Sequence, residues 1–196
     1  MHTRRSALLA GLVITAAAPA ALAQPPGMPK PAPEMAQLKY LVGTWNCEGR
    51  VPAGPMGPSR KTHTTVTIRP DLDGFWYTGT VREAKTPENP TPMSGIFHET
   101  WDTANKQFML QWVDNMGAWS TETSPGWDGD KIVYTGEAVM AGQKIPGRDT
   151  FVKKGEPELE HTAEMSMGGE WTTIVTETCK RALEKGPTTA APVKKP

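Results

Sequence analysis

Apart from His2 the chain carries three histidines, His63, His98 and His161, and these are the first candidates for acid–base or metal chemistry. In an extended segment side chains alternate between two faces. His63 then falls opposite Val66 and Ile68, and His98 opposite Phe97 and Trp101, which places both on a solvated face. His161 shares its face with Leu159, Ala163, Met165 and Met167. An imidazole beside two thioethers is a donor set suited to Cu(I), which favours soft sulfur ligands. Same-face neighbours stand about 6.8 Å apart, close enough for Met165 and Met167 to converge on one ion. The same residue types also suit an interior in which methionines fill irregular space and His161 is hydrogen-bonded. That second reading is adopted, and His161, Met165 and Met167 stand as the copper alternative.

Carboxyl chemistry needs a pair held together. Glu99, Asp114, Glu122, Glu137 and Glu164 are available, but strand charges are expected on the solvated face and their spacing selects no pair. Ser94, Ser120, Ser124 and Ser166 have no nucleophile context. A P-loop, a Rossmann glycine set, a GxSxG elbow, a CxxC pair and a HExxH helix are all absent from the sequence. No catalytic residue is assigned. With 21 basic and 21 acidic residues, the chain lacks the basic stripe that nucleic acid or an anionic membrane would require. Two Cys exclude a disulfide scaffold and a four-thiolate zinc site. Chemistry must therefore come through architecture.

The elements that would position these residues alternate with period two. Thr62, Thr64, Val66 and Ile68 share one face, as do Phe75, Tyr77, Gly79 and Val81. The same pattern joins Phe108, Leu110 and Trp112; Ile132 and Tyr134; and Trp171, Thr173 and Val175. β-Branched and aromatic residues dominate, as half-buried strands require. Asp73-Gly74, Asp128-Gly129 and Gly168-Gly169 supply hairpin turns, with Asn115-Met116-Gly117 and Asp102 to Lys106 as further links. One short helix over Glu34 to Leu41 would put Met35, Leu38 and Leu41 on a stripe. About ten strands joined neighbour to neighbour predict an all-β, antiparallel up-and-down barrel, since closure removes both aggregation-prone edges.

The ends differ from this core. Residues 1–23 carry Arg4 and Arg5, an apolar run from Ala7 to Ala18 and the small-x-small site Ala21-Leu22-Ala23, the pattern of a secretory signal cleaved before Gln24. Sec and twin-arginine export both fit Arg4-Arg5. Periplasmic or secreted localisation follows, with no transmembrane segment after cleavage. Residues 24–37 form a Pro-rich linker, 38–183 the barrel and 184–196 a disordered tail.

Gly43-Thr44-Trp45 is similar to the Gly-x-Trp opening of lipocalins and their calycin relatives. In that group the Trp closes one barrel end and an Arg from the last strand packs across it, a role the resemblance implies for Arg181. Trp101-Asp102, Trp112-Val113-Asp114 and Trp127-Asp128-Gly129-Asp130 extend the likeness. They resemble a bacterial secreted lipocalin-like family catalogued only as a domain of unknown function, over roughly residues 36–182. More distantly the chain resembles nitrobindin, whose opening motif is Gly-x-Trp-x-Gly-x-Gly. Cys47 stands where that motif has its middle glycine, and the last strand lacks the haem-binding His, so no haem is assigned. In a closed barrel the first and last strands are neighbours. A pairing that sets Trp45 opposite Arg181 would bring Cys47 near Cys179, subject to register, and a disulfide is expected, with two separate buried thiols as the alternative.

The functional expectation is an exported protein that binds a small apolar or amphipathic molecule inside the barrel, without a cofactor. Seven Trp either pack a solid core or line a cavity. Phe97, Trp101, Phe108, Trp112, His161 and Met165 are the expected ligand wall: rings and a thioether around one polar group. The alternatives are an enzyme using the same cavity and a solid-core envelope protein acting through its surface. The sequence leaves the ligand and the oligomeric state open.

Overall fold

The computed structural model describes residue 27, residues 29–54 and residues 57–182. The expected signal segment, its cleavage before Gln24 and the 184–196 tail lie outside the described residues. Packed structure begins inside the 24–37 segment, with a 3₁₀ helix over Pro33–Leu41. Its buried residues are Met35, Leu38 and Leu41. A spacing of three matches the three-residue turn of a 3₁₀ helix and sets all three on one side.

Eleven strands follow: β1 (Gly43–Val51), β2 (Arg60–Asp71), β3 (Trp76–Glu83), β4 (Ser94–Asp102), β5 (Gln107–Asp114), β6 (Trp119–Ser124), β7 (Trp127–Asp128), β8 (Lys131–Met140), β9 (Gln143–Lys153), β10 (Glu158–Met167) and β11 (Glu170–Arg181). All pairings are antiparallel, and each strand from β1 to β5 pairs with the next. β6 then pairs with β8, skipping the two-residue β7, and β8 to β11 continue in order. β11 returns to β1, so ten strands close an up-and-down barrel. Turn glycines with positive φ, among them Gly117 at 80° and Gly168 at 65°, stand at the expected hairpin tips.

The seam between β1 and β11 has Trp45 opposite Arg181 and Cys47 opposite Cys179. The two cysteines are joined in a disulfide with Cα atoms 3.9 Å apart. The Arg181 guanidinium lies 4.3 Å from the Trp45 ring centre and donates to the carbonyls of Val42 and Tyr40. Trp45 donates from Nε1 to the Leu41 carbonyl at 2.8 Å, tying the helix to the barrel. Met35, Leu38, Leu41, Trp45, Phe108 and Ile132 form one buried apolar cluster, and the helix plugs this end of the barrel.

One strand departs from the expected alternation. The β10–β11 register runs from Ala163 opposite Val175 to Glu164 opposite Thr173, leaving Ile174 as an extra, bulged residue. A bulge carries everything beyond it to the other face. Trp171 and Thr173 therefore do not share a face with Val175 as alternation predicted. Trp171 points outward, 42% exposed, with the Arg148 guanidinium 4.4 Å over its ring.

Candidate functional site

Above the plug the interior is hollow, with a cavity of about 300 Å³. Register fixes how its wall is built. Phe97 stands opposite Trp112, and Trp112 opposite Ser120. The Phe97 ring lies over Gly79, and the Trp112 ring over Gly95, where any Cβ would overlap the ring. Towards the open end the lining includes Met93, Met116, Met140 and Met165, with Trp119 half exposed at the mouth.

Below the rings the wall turns polar. Glu122 on β6 is cross-strand to Gly136 on β8, which is cross-strand to Gly147 on β9. A Cβ at Gly136 would overlap the backbone and side chain of this turn of the barrel, and one at Gly147 would stand 3.8 Å from Glu122 Oε1. The two glycines open the space the carboxyl occupies. Ser120 donates to Glu122 Oε1 at 2.9 Å, whereas no protein donor reaches the buried Glu122 Oε2, and the protonated carboxyl is hydrogen-bonded to Asp149. Burial, then the charge of Asp149, pushes the Glu122 carboxyl up to about 8.

His161 lies deeper. Its Nε2 is 2.7 Å from Asp149 Oδ1, and its Nδ1 is 3.7 Å from Glu177 Oε2. Phe151 stacks on the imidazole with ring centres 4.6 Å apart. Burial disfavours the imidazolium, but the hydrogen bonds and charges of Asp149 and Glu177 outweigh it and raise the ring to about 9. Both nitrogens then carry protons and face carboxylates. Burial alone would raise Glu177, yet His161 and a 2.7 Å hydrogen bond from Thr64 bring it below the usual carboxylate range. Glu177 also has a glycine cross-strand, Gly49, where a Cβ would collide with it. Beside this group Tyr134 donates to Glu99, which is 2% exposed; burial pushes Glu99 up to about 7, with the Tyr134 hydrogen bond opposing.

Of the six residues expected to line the interior, Phe97, Trp112, His161 and Met165 do so. Trp101 and Phe108 do not. They point inward but lie at the plugged end, packed edge to face with ring centres 4.9 Å apart, where the 3₁₀ helix fills the space above Phe108. Met167 is outside the lining, which separates it from the copper set, and His161 is engaged by two carboxylates. Among the described residues, the one cluster of three metal-type donors is Cys47, Glu177 and Cys179, whose sulfurs are bonded to each other. His63 and His98 are exposed, as alternation placed them.

The buried carboxyls Glu99, Glu122 and Glu177 overturn the expectation that strand charges stay on the solvated face. The signal was present. Glu99 lies between Phe97 and Trp101 on their own face, and Glu177 stands two residues before the inward Cys179.

The fold and its interior define a lipocalin-like barrel, closed at one end and hollow above it. The family model described as "Protein of unknown function (DUF1579)" matches residues 30–181, and the chain belongs to that family. No curated protein matches the chain. Among solved structures it is similar to "Crystal Structure of Rv2717c from M. tuberculosis", at 15% identity and a TM-score of 0.63. That match covers 79% of this chain and 100% of the other, and it speaks for the fold alone.

Proposed function

We propose that the protein is an exported binding protein that takes a small amphipathic molecule into the barrel. The apolar body would lie against Phe97, Trp112 and Met165, with the polar end towards Glu122 and His161. One observation carries this reading: a cavity of about 300 Å³ that runs from aromatic walls to buried ionisable groups. Protein interiors otherwise pack densely, with few voids larger than a water. A volume of this size falls at the lower end of the ~300–1,000 Å³ typical of ligand sites. Export is supported by the signal pattern of residues 1–23 and by the Cys47–Cys179 disulfide, a bond that persists in oxidising compartments.

Titration with isoprenoids, fatty acids and flat aromatics tests the proposal, with Trp112 and Trp119 as internal fluorescence reporters. At least one compound should bind saturably. A fluorescence response to none of them would remove the carrier reading and leave a surface-acting protein. The convergence of Glu122, Asp149 and His161 favours an enzyme as the second reading, because these groups could pass a proton to a bound molecule. Mass spectrometry of the recovered ligand separates the two: unchanged ligand marks a carrier, and a product lost in Glu122→Gln marks an enzyme.

A further inference from the structure

Resting on the binding reading above, we propose that the ligand's polar head is a cation, an organic ammonium seated between Glu122 and Asp149 with its apolar body among the rings. Three independent features support this. The first is a buried carboxyl pair: Glu122 is 4% exposed and lines the cavity, no protein donor reaches its Oε2, and its own proton is what joins it to the Asp149 carboxylate. Leaving such an oxygen unmade is costly, and an N–H donor from a ligand would satisfy it.

The second is charge. The acids on the cavity wall include Glu99, Glu122, Asp149 and Glu177, and the basic groups there are Arg60 and His161. Arg60 is taken by Glu83 at the mouth, and His161 by Asp149 and Glu177. No basic side chain of this lining is left to receive a carboxylate head, and one imidazolium between two carboxylates leaves the cluster negative. The groups facing Glu122 are Ser120 on its own strand, Tyr134 on β8, Asp149 on β9 and His161 on β10. Of these only His161 is cationic, and it is already shared.

The third is space and aromatic surface. Glu122 packs over Gly136, and Gly147 leaves the wall open beside the carboxyl. Phe97 and Trp112 line the same cavity, and aromatic faces attract ammonium groups. Burial and then the charge of Asp149 keep the proton on Glu122 up to about 8. A bound ammonium would take the place of that proton, so binding should release it to solvent.

The test is calorimetric titration of the full mature protein with octylamine, octanol and octanoate, which share one apolar body. Octylamine should bind about tenfold or more tighter than octanol, and octanoate weakest. Octylamine affinity should rise from about pH 6 to about pH 9, with proton release seen as a dependence on buffer ionisation enthalpy. Glu122→Gln should weaken octylamine about tenfold and leave octanol unchanged. Gly147→Ala, whose new methyl meets only Glu122 at 3.8 Å, keeps the fold and should also weaken octylamine selectively. Octanol or octanoate binding as tightly as octylamine would overturn the cation assignment while leaving the binding reading intact. Silence from all three, together with the wider panel, would overturn both.

Discussion

The two ends of the barrel treat polar groups in opposite ways. At the plugged end the strong donors Arg181 and Trp45 are matched: Arg181 donates to the Val42 and Tyr40 carbonyls, and Trp45 to Leu41. In the hollow part Glu122 Oε2 is buried with no protein donor, and the carboxyls of Glu99, Glu122, Asp149 and Glu177 share the interior with one imidazole. Matched polar groups and apolar packing hold a fold together, while unmatched ones lower its stability unless something binds them. On the proposed reading the division places stability in the plug and binding in the cavity.

Substitutions that separate the two ends should differ most at Trp45. The ring is 1% exposed and packs under Arg181 and beside Tyr40, so Trp45→Ala should cost about 3–5 kcal/mol in urea unfolding. Glu122→Gln, in contrast, replaces a carboxyl that holds its proton at neutral pH, and its stability should change by less than about 1 kcal/mol. Comparable losses at both positions would erase the division. The disulfide comes next. It spans 132 residues of chain, and replacing both cysteines with Ser should cost about 2–5 kcal/mol while sparing octylamine binding.

A pH profile sharpens the same contrast. Glu99 and Glu122 ionise near 4.5 when unfolded but at about 7 and about 8 when folded. Between those values the folded state holds the extra protons, so stability falls as pH rises. For Glu99 alone the withdrawal is on the order of 3 kcal/mol between about pH 4.5 and pH 7. His161 acts in the same direction: its contribution is full below about 6.5 and is lost as pH rises through about 9. Thermal unfolding should therefore move to lower temperature from about pH 5 to about pH 9. The slope should flatten in Glu99→Gln. A wild-type midpoint that rises over this range would show that these groups are solvated. The smallest effect belongs to the outer face: Trp171→Ala removes a half-exposed ring over Arg148 and should shift stability by less than about 1 kcal/mol, with binding unchanged.

How much of this was legible in the sequence depended on what alternation resolves. Barrel closure and the seam were legible, because a meander with first and last strands adjacent brings Trp45 to Arg181 and Cys47 to Cys179. Alternation separates inside from outside but carries no information on depth. Trp101 and Phe108 were correctly turned inward, yet they stand at the plug and Trp112 stands in the cavity. The buried carboxyls were missed for a different reason. Glu99 and Glu177 occupy inward positions by parity, and the general expectation that charges face solvent overrode that parity. What makes them tolerable is contributed by other strands: Tyr134 for Glu99, His161 and Thr64 for Glu177, and the Gly136–Gly147 pair beside Glu122. Those partners are distant in sequence. The bulge at Ile174 left no local mark at all, and only the register revealed that it turns Trp171 outward.

The most direct test is a crystal structure of the protein grown with octylamine. It should show the alkyl chain between Phe97 and Trp112 and the nitrogen within hydrogen-bond distance of Glu122, with the plug and its Trp45–Arg181 stack unmoved. An interior filled by its own side chains, or octylamine bound only on the outer surface, would contradict the account.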